Sequence, residues 1–329
     1  MIDDKYLKNN YIYFADVGAM GGVQPKWKDI TNCYFSVLFE PNKSSYEELI
    51  VNKKENEIII NSGLLNKKGK TVLNICKSKG ASSIFEPNYK FLKLFHDVER
   101  FEIQSNENIN TDTLDNQLIK NNIKELDFMK VDVQGSELKV LNGSTNTLKG
   151  IIGLEIECEI SEIYNNQPLF SDILQFLNSK EFHLFDLKRY YWKRKNAILK
   201  NNKKGQLVFV DALFFKQPEI LIREFHNDHL KLLKAYYLYL FYGYSDLAKI
   251  ILNYLSEKNL INDIILKDLS NNISNIDTVG FVVPYFPGKK ILKRLFNKLS
   301  LLFSDHDIYN KNLEWKKNHY LGNDHDLGN

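Results

Sequence analysis

Three carboxylates stand where apolar runs end. Asp16 follows Tyr11–Ala15, Glu40 follows Tyr34–Phe39 and Asp132 follows Phe128–Val131. Each run reads as a buried strand, so each acid falls at a strand tip, where ligands bind in open α/β sheets. Behind Asp16 comes Val17-Gly18-Ala19-Met20-Gly21-Gly22. A strand running into such a glycine-rich turn lets a ligand approach the backbone with no Cβ in the way. Glu40, at the tip of the next strand, can accept both hydroxyls of a ribose. Together these features point to an adenosine-type nucleotide, against the plainer reading of a strand-turn-helix joint.

The spacing then selects among nucleotides. A dinucleotide turn is GxGxxG, whereas here the pattern is DxGxxxG, Asp16-x-Gly18-x-x-x-Gly22. A carboxylate in that loop suits an ammonium and repels a pyrophosphate. S-adenosylmethionine carries an α-ammonium and a sulfonium and no phosphate, so the charge logic favours it over NAD. No GxxxxGK[ST] occurs, which excludes a P-loop.

Further acids line up downstream. Glu155, Glu157 and Glu159 alternate along a strand read as Ile151–Ile156 and its extension, so they share one face. Glu157 is the candidate for contacting or deprotonating a substrate hydroxyl, and Glu159 is expected beyond the strand in solvent. Asp132 offers a general base, an ammonium contact or a metal ligand, or simply a cap for the following helix. Glu137 sits at that helix start and suits its dipole. Tyr190-Tyr191-Trp192-Lys193-Arg194, read as following a strand at His183–Leu187, offers a stacking surface and cations for a sugar or an anion. It equally suits a sheet edge with snorkelling basic side chains. His183 reads as structural.

The elements that position these residues alternate. Strands at Glu57–Ile60 and Leu207–Phe215 complete the set, and helical patterns run over Ser44–Val51, Gly135–Leu148 and Phe170–Ser179. This predicts a doubly wound, mostly parallel seven-stranded Rossmann-like sheet, with an antiparallel addition at its end. Lys70–Gln104 reads as a β-rich insertion. Past Pro218 the pattern turns helical, which places a domain boundary near 217: residues 1–217 form the α/β domain and 218–329 a helical extension. Ala235–Leu255 reads as a helical hairpin turning at Gly243, similar to the inner turn of one tetratricopeptide unit. One such hairpin cannot bury its own face, so it docks on the α/β domain or on another subunit. Gly288–Phe303 forms an amphipathic pattern with one basic face, suited to a dimer or core helix or to an anionic membrane surface.

Composition bounds the rest. The chain has 329 residues, 43% hydrophobic and 26% charged, a globular balance. Lys and Arg number 44 against 41 Asp and Glu, a net charge of +3, so nucleic acid is not an expected partner. Three scattered cysteines make neither a disulfide framework nor a zinc site. No signal peptide or spanning helix is apparent, and a cytoplasmic location is expected, with peripheral membrane contact or homodimerisation through the C-terminal helices.

The block Asp127-Phe-Met-Lys-Val-Asp-Val-Gln-Gly-Ser-Glu-Leu-Lys-Val-Leu-Asn-Gly143 resembles the signature of the FkbM-like methyltransferases. DVGAMGG, LFEPN, NSGLLNKKGK, GASSIFEPN, GLEIECE, YYWKR and GQLVFVDALFF follow in that family's order, over roughly residues 10–217. Met20 and Gln134 depart from it, the latter standing where Glu is common. The resemblance implies the methyltransferase fold and O-methyl transfer from S-adenosylmethionine. Asp16, Gly18, Ala19 and Gly22 would surround the methionine part, Glu40 the ribose, and Asn61 and Ser62 the adenine. Position and chemistry, rather than the resemblance, make Asp132 and Glu157 the candidate catalytic pair, with Gln134, Tyr191, Trp192 and Arg194 on the substrate side. No metal ligand set is assigned, and the need for a divalent metal is left open. The expected acceptor is a hydroxyl of a small molecule or glycan, such as a capsule or lipopolysaccharide sugar or a glycosylated metabolite. The rival reading is a silent methyltransferase-like scaffold working through its helical part.

Overall fold

The computed structural model describes residues 5–7, 10–24, 26–27, 33–195 and 205–277, with isolated positions between 288 and 296. Most of the 288–303 amphipathic segment therefore lies outside the described residues.

Short runs rich in apolar residues make the parallel strands of the main sheet. They are β1 (Ile12–Val17), β2 (Tyr34–Phe39) and β3 (Glu57–Ile60), then β7 (Phe128–Val131) and β8 (Gly153–Glu159). These five are parallel. Two long strands, β9 (Phe182–Trp192) and β10 (Gln206–Lys216), close the sheet antiparallel. The order is β3-β2-β1-β7-β8-β10-β9. Chain connections reverse direction between β1 and β7, which opens a crevice at their carboxyl ends. A second sheet, β4 (Gly63–Leu64), β5 (Gly69–Cys76) and β6 (Ile103–Asp112), is the insertion.

Helices α1 (Lys43–Val51), α2 (Tyr89–Leu92), α3 (Leu114–Lys120), α4 (Glu137–Asn142), α5 (Thr147–Gly150) and α6 (Phe170–Asn178) connect the strands. The sequence pattern predicts one helix over Gly135–Leu148, but the chain breaks it into α4 and α5. A Cβ at Gly143 would lie 2.1 Å from the Leu65 carbonyl oxygen, so the loop after β4 interrupts the helix there. Strand β9 also runs further than expected and carries Tyr190, Tyr191 and Trp192 within it. Its long antiparallel ladder with β10, from Phe182 opposite Lys216 to Trp192 opposite Gln206, explains the extension.

The two faces of the sheet bury different sets. One packs Val17, Met129, Ile156 and Phe214 against α3, α4 and α6. The other carries Phe14, Phe128 and Phe215: Phe14 stacks on Trp27, Phe128 tilts against the same ring, and Phe215 packs on Phe128. The helices beyond Lys216 cover this aromatic face: α7 (Pro218–Phe225), α8 (His229–Phe241), α9 (Ser245–Glu257) and α10 (Asp263–Asp277). The chain breaks between α7 and α8, where Asp228 caps α8 by accepting the Lys231 amide.

Two lysines fasten α8 to the sheet. Lys231 Nζ and Lys234 Nζ donate to the two carboxylate oxygens of Asp127, at 2.6 and 2.9 Å. Asp127 is fully buried and also accepts the Tyr13 amide at 2.8 Å. A buried pair is costly to break from one side, since the remaining charge stays desolvated. Asp127→Ala removes the buried carboxylate the two lysines share, leaving them Glu125 at 2.8 and 3.9 Å, and should lower the unfolding free energy by about 3 kcal/mol in urea denaturation.

Candidate active site

Strand register builds a charged ladder on the aromatic face, nearer the strands' carboxyl ends. Asp16 of β1 lies opposite Lys130 of β7, and Lys130 opposite Glu155 of β8. One step further along, Asp132 follows β7, and Glu157 of β8 lies opposite Asp211 of β10. Lys188 of β9 completes that row. Phe14, Phe128 and Phe215 occupy the preceding step on the same face, so the surface passes from aromatic to ionic within one strand length.

Lys130 is the cation at the centre. Its ammonium lies 3.6 Å from Asp16 Oδ1 and 3.3 Å from Asp132 Oδ2. Burial alone would lower its pKa, but Asp16, Asp132 and Glu155 outweigh that and hold it charged. Glu155 is partnered by Lys26 and by the Tyr242 hydroxyl, 3.0 Å away, and its pKa falls despite complete burial. Tyr242 closes α8, so the helical cover reaches the charged row. Neither Lys130 nor Tyr242 was singled out by the sequence reading. A lysine inside the four-residue buried run FMKV was the available signal.

Beside Lys130 lies a cavity of ≈ 290 Å³, lined by Asp16, Gly18, Met20, Gly22, Glu40, Ser62, Asp132 and Gln134. Leu64, Leu73, Ile75 and Ile109 of the inserted sheet form an apolar wall, which the sequence reading also missed. Burial pushes Asp16 up to about 6, and its Oδ1 has no hydrogen-bond partner. Burial likewise raises Glu40 to about 7, although the Asn42 amide donates to it at 2.8 Å. Asn42 Nδ2 in turn donates to Glu107 of β6 at 2.6 Å, so the insertion braces the Glu40 turn. Gly18 has φ +84°, and a Cβ there would lie 2.0 Å from the Asp132 carbonyl oxygen. Glycine is needed at this point for the close approach of the β1 and β7 ends.

Other predicted residues fall elsewhere. Ala19 is buried in the core, its amide on the Phe39 carbonyl. Asn61 lines a shallower neighbouring pocket and donates to the Glu40 and Pro41 carbonyls, which fixes that turn. Trp192 is buried among Phe95, Phe101 and Phe209, with the Arg100 guanidinium over its ring. Arg194 is exposed and donates to Gln206, and Tyr191 is half-buried in β9. These three lie outside the cavity lining. Glu159, expected in solvent, is buried: its alternation with Glu157 continues within β8, beneath the insertion.

Gln134 sits between the two candidate catalytic acids. Its Nε2 donates to Asp132 Oδ1 at 3.0 Å and to Glu157 Oε1 at 2.6 Å. Burial raises Glu157 well above the usual carboxylate range, and Asp132, Asp211, Glu159 and Glu137 add to it. Glu137 is raised to about 7 by burial. It accepts the Val133 and Gly135 amides, so it ties the loop after β7. Asp211 is raised to about 6 by burial and Glu155, and it accepts the Tyr190 hydroxyl at 2.8 Å. Tyr190 stacks on Phe209 with centroids 4.3 Å apart.

A carboxylate whose folded pKa is raised stabilises the protonated protein, and that contribution is lost as pH rises through the folded value. Lys130 offsets this loss for Asp16. Lys130→Met should therefore cost about 3–5 kcal/mol above neutral pH, shrinking as Asp16 is protonated near pH 6. Denaturation at several pH values checks this, and a pH-independent cost would contradict it.

The family comparison fits this layout. Residues 16–184 match the family model described as the methyltransferase FkbM domain. Nothing among curated proteins matches the chain. Among solved structures, TrmK from M. capricolum, in complex with S-adenosyl-homocysteine, is similar at 12% identity. The match covers 83% of this chain and 94% of that one, at a TM-score of 0.33. Magnesium protoporphyrin IX methyltransferase from Synechocystis PCC 6803, with bound SAM, is similar at 8% identity, covering 64% and 75%, at 0.32. The family match spans the glycine turn, Glu40, Lys130, Asp132 and Glu157, and with these residues in place the chain belongs to the FkbM methyltransferase family.

Proposed function

We propose that the chain transfers a methyl group from S-adenosylmethionine to a hydroxyl, with a sugar as the acceptor. The observation that carries the cofactor reading is the buried Asp16 carboxylate, whose Oδ1 has no hydrogen-bond partner in a cavity also lined by Glu40. A desolvated acid facing a cavity favours a cationic ligand and disfavours a pyrophosphate. Asp16 and the turn from Gly18 to Gly22 would hold the methionine part, Glu40 the ribose, and the wall of Leu64, Leu73, Ile75 and Ile109 the base.

When bound, S-adenosylmethionine supplies a methyl group already activated on a sulfonium. The acceptor oxygen attacks that carbon in line, the carbon–sulfur bond breaks, and the sulfur leaves as a neutral thioether. The hydroxyl proton goes to Glu157. Gln134 occupies Glu157 Oε1, which leaves Oε2 to accept it. A carboxylate whose pKa burial and neighbouring acids raise is, when ionised, the stronger base for this step. Asp132 aligns the acceptor beside Glu157. Family habit supports a sugar acceptor, as does the ability of paired carboxylates and the Tyr190–Phe209 stack to engage a polyol.

Transfer of labelled methyl from S-adenosylmethionine to a panel of sugars and nucleotide-sugars tests the reaction. Glu157→Gln should lower turnover by about 10²–10⁴-fold, the usual worth of a general base, while retaining S-adenosylhomocysteine affinity. Full turnover in that variant would remove Glu157 from the mechanism. Glu40→Ala should abolish cofactor binding, and unchanged affinity would overturn the ribose assignment.

A further inference from the structure

We infer that Gln134 is a positioning residue whose amide, oriented by Tyr164, holds the Asp132 and Glu157 carboxylates in one fixed pair. Both hydrogens of its Nε2 are engaged, one by each acid, at 3.0 and 2.6 Å. The opposite end of the amide is fixed independently. The Tyr164 hydroxyl lies 2.9 Å from Gln134 Oε1 and 2.9 Å from the Ala81 carbonyl oxygen. The amide nitrogen faces two carboxylates that accept from it, so its oxygen is turned to Tyr164, whose single hydroxyl proton lies between that oxygen and the Ala81 carbonyl. Tyr164 is fully buried, and Ser83 Oγ donates to the Gln134 carbonyl at 2.6 Å. The inserted segment thus holds this residue's backbone through Ser83, while its side chain meets Tyr164, from the loop after β8, which the insertion in turn engages through the Ala81 carbonyl.

The backbone bears a cost for that placement. Gln134 has φ +54°, a left-handed conformation that non-glycine side chains rarely adopt. Such strain persists where surrounding contacts over-determine it, as they do here. In this chain the surrounding acids favour an amide here, where the family resemblance expects Glu. Glu157 already faces Asp132 across the pair, Asp211 from β10, Glu159 along β8 and Glu137 from α4, with Lys188 paired to Asp211 at 3.6 Å. A carboxylate at 134 would add a further like charge and remove both donors. A neutral double donor lets two acids stand together, one ready to take a proton and the other to align the acceptor. The meaning of this pair for catalysis rests on the methyl-transfer reading; its geometry does not.

The test follows the Glu157 carboxyl through a pH titration by ¹³C NMR in full-length protein labelled at glutamate, with Glu157→Gln supplying the assignment. Removing a donor to a carboxylate raises its pKa. Gln134→Ala should raise the Glu157 midpoint by about one unit, a tenfold gain in proton affinity. Gln134→Glu keeps the shape but loses the donor, and should raise it further. Tyr164→Phe leaves the amide in place without its anchor, and should raise it by less. It also serves if the position 134 variants do not fold. An unmoved midpoint in the folded variants would overturn the assignment. Failure of the wild-type chain to bind S-adenosylhomocysteine would instead contradict the methyl-transfer reading and leave this titration valid.

Discussion

A single buried ammonium makes the crevice possible. Lys130 stands between Asp16, Asp132 and Glu155, each brought in by strand register. Without it, Asp16 would be buried at the carboxyl end of the sheet with no counter-charge, and burial would neutralise it. With it, Asp16 keeps a titration point near 6 and remains an anion at neutral pH. The cavity can then be both desolvated and negative, the condition for attracting a cationic cofactor and rejecting a phosphate.

Other parts of the molecule serve this constraint from outside. The inserted sheet contributes an apolar wall and, through Glu107, braces the turn that carries Glu40. The helical cover seals the aromatic step below the charged row, fastened at one end by Asp127 and reaching Glu155 at the other through Tyr242. Glu155, paired to Lys26, and Glu157, held by Gln134, are neighbours on one strand with opposite outcomes. The first is ionised by a cation, while the second is left without one.

Much of this was legible in the sequence. The runs at Tyr34–Phe39, Glu57–Ile60 and Phe128–Val131 form strands with those same bounds, because a short apolar run between turn signals has few alternatives. The acids at their tips fall on the crevice for the same reason. What escaped depends on contacts between distant segments. The break at Gly143 comes from a loop far upstream in the chain. The extension of β9 comes from its ladder with β10, which places Trp192 in a core where its cationic neighbours had suggested a surface. Lys130 was passed over because a lysine in an apolar run reads as an interruption until its register partners are known.

The most direct test of a cavity built for a cation is calorimetric titration with S-adenosylhomocysteine, with NAD in parallel, at about pH 8 and about pH 5.5, on either side of the Asp16 titration. The account predicts micromolar binding of S-adenosylhomocysteine alone at the higher pH. At the lower pH it should weaken, with proton release on binding. Binding of NAD, or S-adenosylhomocysteine affinity indifferent to pH and to Asp16→Asn, would contradict it.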